Sequence, residues 1–285
     1  MAAIDSVRAQ TRQESLFLLV PGVLVLLIAF LFPVGTILIT SVVDWTEDGV
    51  FVLTTSHFEK FFVDDYYLKV AWRTLRLALV ITLATAIFGV PLAYIMQRAH
   101  PTLRFIILLM VILPLMTSVV IRTFGWLVVL GNGGLLATLV APLGFTGRSA
   151  VLMHTEAGIV IAMVQVLLPF MVLTVLGVLQ GIGRELEEAG RTMGAGFWQV
   201  LRVIVLPLAV PGIVSGSLIV FALSLSSFIT PSLVGGVRLP VMAGSIYQSI
   251  GGSFDWPFAA AQSVLLLAAT LLLIIPYARL VRTSQ

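Results

Sequence analysis

Six runs of apolar residues, each about twenty residues or longer, divide this chain and constrain its fold more than any other feature. A helix rising about 1.5 Å per residue needs roughly that length to cross a hydrocarbon layer about 30 Å thick. Inside lipid every backbone donor and acceptor must be paired within the protein, and the runs lack the short alternation of barrel strands, so each predicts a helix. The expected spans are about 16–43, 74–96, 105–130, 157–182, 205–229 and 258–278. Hydrophobic residues make up 59% of the chain, charged residues 10%, and the mean hydropathy is +1.12. A soluble domain of 285 residues cannot bury that much apolar surface. The expected fold class is therefore an all-α membrane protein with six transmembrane helices. It forms one membrane domain over 1–285, with a short N-terminal tail at 1–15 and a polar loop at 183–206 between the fourth and fifth helices.

An even number of crossings puts both termini on one side. Arg8, Arg12, Arg98, Arg104, Arg184, Arg191, Arg202, Arg279 and Arg282 then fall on that same side, which the positive-inside rule makes the cytoplasm. The bias is modest, because Lys60, Lys69, Arg73, Arg76, Arg122, Arg148 and Arg238 do not join them. A pI near 9.6 thus follows from membrane orientation more simply than from nucleic-acid binding, for which there is no compact basic patch. The first span starts too late and runs too long for a cleaved secretory segment, and is expected to remain as an anchor. With no cysteine, disulfides, thiol catalysis and thiolate metal sites are excluded. His57, His100 and His154 sit in different loops without metal-ligand spacing, so neither a metal nor a catalytic residue is expected. There is no G-x-x-x-x-G-K-[ST] loop, and the two lysines, Lys60 and Lys69, fall on the outer side. Any nucleotide must be bound by another polypeptide.

The outer loop from Asp44 to Arg73 mixes Asp44, Glu47, Asp48, Glu59, Asp64 and Asp65 with Trp45, Phe58, Phe61, Phe62, Tyr66 and Tyr67. That composition suits a short helix lying at the outer interface, as a cover or as a contact for a delivering protein. On the other side, Arg184 to Met193 lacks proline and places Leu186, Ala189, Gly190 and Met193 on one helical face. Glu185, Glu187 and Glu188 lie near the helix start, where the dipole favours them, and Gly194 suits a left-handed stop. Phe197, Trp198 and Arg202 would follow near the headgroups, with Pro207 and Pro211 shaping entry into the fifth span.

Polar residues within or beside the spans are candidates for a solute path. A charge at depth is costly, so Arg122 either orients a carboxylate such as Glu156 and lines the outer vestibule, or marks a helix end and snorkels to headgroups. Glu156 has its own alternative, as a favoured negative charge at a helix start after Thr155. Asp255 and Trp256 could offer a carboxylate and an aromatic face to an ammonium, or form a turn. Gln165, Ser224 and Ser227 could line a path or bond between helices.

Glu188-Ala189-Gly190, three residues, Gly194, nine residues and Ile204-Val205-Leu206-Pro207 together resemble the EAA loop of ATP-binding-cassette (ABC) importer permeases. Pro114 to Trp126 (PLMTSVVIRTFGW), Thr155 to Met171 (TEAGIVIAMVQVLLPFM), Phe228 to Gly236 (FITPSLVGG) and Asp255 to Ala260 (DWPFAA) extend the likeness over most of the length. The chain resembles a type I importer permease of the spermidine/putrescine type. Two departures are Gly190 for the third alanine of the loop, and Ser226-Ser227 where some polyamine permeases resemble Gly-Glu.

The resemblance implies import by alternating access across a bacterial inner membrane, with a small solute, most simply a polyamine, as cargo. It implies a second permease subunit, identical or homologous, two ATP-binding subunits and an external solute-binding protein, all among membrane lipid. ATP and Mg would be bound by the ATPase, and this chain would not be an enzyme. Glu187, Glu188, Ala189, Gly190, Met193 and Gly194 would couple to the ATPase. Arg122, Trp126, Glu156, Gln165, Ser224, Ser227, Asp255 and Trp256 are the path candidates. The rival classes are less well served: a secondary transporter lacks paired carboxylates and matched broken helices here, and a membrane enzyme lacks a nucleophile, base and orienter together.

Overall fold

The structure is a computed structural model that describes residues 2–45, 51–140, 142 and 152–282; Glu47, Asp48 and Arg148 lie outside the described residues. Among the described residues, six helical stretches are long and apolar enough to cross a membrane: Val20–Thr40, Asp65–Arg98, Val119–Leu139, Glu156–Gln180, Phe197–Ser226 and Trp256–Leu273. The first lies within α1 (Ala2–Thr40), so residues 2–15 of the expected N-terminal tail are helical. A two-stranded antiparallel hairpin follows, β1 (Val43–Trp45) with β2 (Phe51–Leu53), and then the short helix α2 (Ser56–Val63). The short helix expected in the outer loop is α2, and the strand pairing adds to that expectation. Phe61 of α2 packs with Val70, Met242 and Phe258, and Tyr67 stands edge-on to Phe258 at 4.8 Å.

The second crossing, α3 (Asp65–Arg98), begins well before the expected residue 74. At about 1.5 Å per residue its 34 residues reach about 51 Å, so it projects beyond a hydrocarbon layer of about 30 Å. The third expected span, 105–130, is broken. It forms α4 (Pro101–Ile112), a 3-10 turn (Leu113–Met116) and α5 (Val119–Leu130), followed by α6 (Leu135–Val140). Pro114 supplies no backbone N–H and crowds the preceding turn. Thr117 then extends (φ −92°, ψ 146°), and both its N–H and its hydroxyl bond back to the Pro114 carbonyl.

The core lies where α3, α7 (Glu156–Gln180) and α10 (Leu206–Ser226) meet. In lipid, helices associate through close packing rather than through the hydrophobic effect, and small residues allow it. Met171 of α7 is fully buried, and a Cβ added at Gly89 of α3 would meet its Cγ at 2.6 Å. One added at Gly216 of α10 would meet its Sδ at 2.8 Å. Two glycines therefore seat one methionine between three helices.

Beyond α7 come α8 (Arg184–Thr192) and α9 (Phe197–Val200), which runs through a π turn (Leu201–Val205) into α10. The expected polar loop at 183–206 is therefore mostly helical, and its last part already belongs to the fifth crossing. The π turn ends two residues before Pro207, which removes one N–H from the ladder. Two short helices, α11 (Ile229–Gly235) and α12 (Met242–Gly251), precede α13 (Trp256–Arg282).

Candidate functional site

The residues expected to meet an ATPase lie at the end of the bundle where α3 finishes and α7 gives way to α8. The helix stops as the sequence predicts. Gly194 takes φ +89°, its N–H bonds the Arg191 carbonyl at 2.9 Å, and the Ala195 N–H reaches the Gly190 carbonyl at 3.1 Å. This pair of bonds around a left-handed glycine is the Schellman arrangement.

Leu186, Ala189, Gly190 and Met193 share a face, and together with Val203, Ile204, Pro207 and Leu208 they line an open depression of about 480 Å³. Met193 is 83% exposed, and Glu188 and Ala189 are exposed as well. Gly190 differs. It is buried, and an added Cβ would meet Cδ1 of Ile204 at 2.8 Å and Cγ2 of Val200 at 3.4 Å. Its small size lets α8 lie against this chain's own following helix.

Glu187, expected to couple to the ATPase, is also turned inward. It is 3% exposed, forms an ion pair with Arg98 through Oε1, and accepts a hydrogen bond from the Tyr94 hydroxyl at 3.2 Å through Oε2. Both carboxylate oxygens are engaged within the chain. Adjacent glutamates on a helix point about 100° apart, so one can seal the interior while the next meets solvent. Nothing local in the sequence marks Tyr94 or Arg98 as a partner of Glu187, which lies 93 positions beyond Tyr94.

The path candidates do not form one cluster. Trp126 donates from Nε1 to Gln165 Oε1 at 3.2 Å, which joins α5 to α7. The Ser227 hydroxyl, just past the end of α10, contacts Met163 Sδ at 3.5 Å, and Ser224 is buried in the last turn of that helix. Thr123 and Thr230, which the sequence reading passed over, bond through their hydroxyls at 3.0 Å and pin α11 to α5.

Glu156 sits at the start of α7, but its charge partners are Arg76 and Arg73 of α3, the latter at 3.8 Å. Among the described residues no ion pair joins it to Arg122, which donates instead to the Thr117 carbonyl at 3.2 Å. The Arg122 chain is partly exposed, with Nε and Nη1 buried and lacking a protein partner among the described residues.

Asp255 receives Lys60 Nζ at 2.9 Å on Oδ2, and accepts the Phe258 N–H at 3.1 Å on Oδ1. It caps α13, while neighbouring Trp256 is exposed. Asp255→Ala should lower stability by about 1 kcal/mol through loss of the cap, read as an earlier thermal midpoint. Asp255→Asn keeps a capping oxygen and should stay close to wild type in both midpoint and uptake. A fall in uptake of a cationic solute at unchanged midpoint in Asp255→Asn would put the carboxylate on the path instead.

Comparison with known proteins decides the class. Residues 86–283 match the family described as binding-protein-dependent transport system inner membrane component. The chain belongs to this family. The permease is 32% identical over 267 residues to the spermidine/putrescine transport system permease protein PotB of Haemophilus influenzae, covering 92% of this chain and 88% of that one. It is 29% identical over 255 residues to PotB of Escherichia coli, with 89% and 93% covered. A probable molybdenum ABC transporter permease protein of Haloferax volcanii is 30% identical over 249 residues, with 86% and 84% covered. Among solved structures, a bacterial alginate ABC transporter in complex with alginate pentasaccharide-bound periplasmic protein shares the fold. The TM-score is 0.80 at 18% identity, covering 97% of this chain and 96% of that one. The permease is an ABC importer subunit of the inner membrane, crossing it several times, and a transport component rather than an enzyme.

Proposed function

We propose that this permease carries a small organic cation of the polyamine class into the cell by alternating access, driven by a separate ATPase that grips α8. The observation that carries the coupling part is α8 itself: a short helix with Glu188, Ala189 and Met193 exposed, ended sharply by Gly194 beside an open apolar depression. Residues 1–285 then act as one membrane domain with α8 and both termini in the cytoplasm, in keeping with the arginine distribution. A second permease subunit completes the path, two ATP-binding subunits hold ATP and Mg, and an external binding protein delivers solute. No cofactor is held by this chain.

The cargo reading is supported by the names of the PotB relatives. Trp126, Gln165, Ser224 and Ser227 are the residues we assign to the path wall, with Arg122 at its edge. Glu156, Asp255 and Trp256 serve the outer ends of α7 and α13. The test is reconstitution with the ATPase and binding protein, scoring stimulated hydrolysis and uptake. Spermidine or putrescine should stimulate both, and molybdate neither. Stimulation by another small organic solute alone would keep the import route and replace the cargo.

A further inference from the structure

Tyr94, Gln97 and Arg98 stand at i, i+3 and i+4 on the last turns of α3, so their side chains leave one face of that helix. Each reaches a different neighbour. Gln97 Nε2 donates to the Leu179 carbonyl and, at 3.3 Å, to that of Ile182, holding the end of α7. The Tyr94 ring lies 6.4 Å from that of Phe197, the first residue of α9, and its hydroxyl bonds Glu187 of α8. Arg98 pairs with Glu187 while its guanidinium stacks over the Tyr94 ring at 5.6 Å. The side chains are 20% and 4% exposed for Arg98 and Glu187.

We propose that Arg98, Glu187 and Tyr94 form a tether that positions α8 on the end of α3 and carries its displacement into the bundle. The proposal rests on reading α8 as the ATPase-coupling helix. The physical argument is that a buried carboxylate must keep its partners. Separating Glu187 from Arg98 leaves two desolvated charges, so the link resists stretching when α8 is pushed. An exposed pair would slip and re-form in water. Glu187 and Glu188 thereby divide the work: Glu188 meets the partner, and Glu187 binds α8 to a helix that runs through the bundle to the aromatic cluster at its far end. Arg98, Tyr94 and Glu187 are positioning residues, since they act through α8 and touch no solute.

The absence of cysteine makes the test direct, because introduced thiols are the only ones present. Spin labels at Met193→Cys and Phe88→Cys, both exposed positions, report the distance between α8 and α3 in the permease alone. In the parent the distribution should be narrow. Arg98→Gln should broaden it. Because that variant strands Glu187, Arg98→Met/Glu187→Met is the second variant, filling similar volume without an unpaired buried charge. It should insert normally, broaden the distance, still capture the ATPase, and lower solute moved per ATP by about tenfold, within the range of ordinary coupling free energies.

An unchanged distance in the double variant overturns the tether. A broadened distance with unchanged solute per ATP overturns its transmitting role. Failure of the unsubstituted permease to capture any ATPase defeats the reading of α8 instead, and the distance measurement still decides whether the pair holds α8 to α3.

Discussion

Glu188→Lys should leave the permease inserted in the membrane and abolish ATP-driven uptake. Glu188 is exposed on α8, so the substitution disturbs no interior contact, in contrast to its neighbour Glu187. At the proposed contact with the ATPase, truncating one member of a desolvated charge pair costs about 2–5 kcal/mol, and reversal removes at least as much. That corresponds to at least about a thirtyfold loss, visible both as failed co-purification of the ATPase and as lost uptake. Glu185→Lys, at another exposed position in the first turn of the same helix, is the control and should retain most activity. Full substrate-stimulated hydrolysis together with normal uptake in Glu188→Lys would remove α8 as the contact.

Gly212→Leu should strike the fold rather than the coupling. A Cβ at Gly212 would meet Val178 Cγ2 at 2.9 Å and the Val175 Cα at 3.2 Å, and a backbone atom cannot swing aside. Overpacking of this kind costs about 1–3 kcal/mol, and a branched side chain pressed on a helix backbone belongs at the upper end. The expected result is a sharp drop in monodisperse yield and thermal midpoint. Gly177→Leu is the matched control, since Gly177 lies on α7 with nothing within 4 Å of an added Cβ. Equal yields for the two variants would show that α7 and α10 are not in close approach at this point.

The six crossings were legible because lipid demands long apolar runs, and that demand is written locally in each run. Local writing also explains the Gly194 stop, where one residue type answers one backbone angle. The break at Pro114 to Ser118 was harder to see, because hydropathy stays high across it while the ladder of hydrogen bonds does not. The hairpin at Val43 to Leu53 rests on three-residue strands, too short for alternation to register. The inward turn of Glu187 and the pairing of Glu156 with Arg76 belong to neither segment alone. Each needs the packing of α3 against α7 and α8, which residue type and spacing do not encode. Asp255 shows the same limit from the other side: its suitability for a cation was readable, whereas its engagement by Lys60 of α2 was not.

No residue from Val20 to Thr40 is buried, although α1 touches α13 and β1. Acyl chains accommodate its leucines and phenylalanines as readily as protein would, so little apolar free energy binds it to the rest. This first crossing is an outrigger rather than a beam. The bilayer asks of it only length and apolar side chains, and the family match begins beyond it, at residue 86.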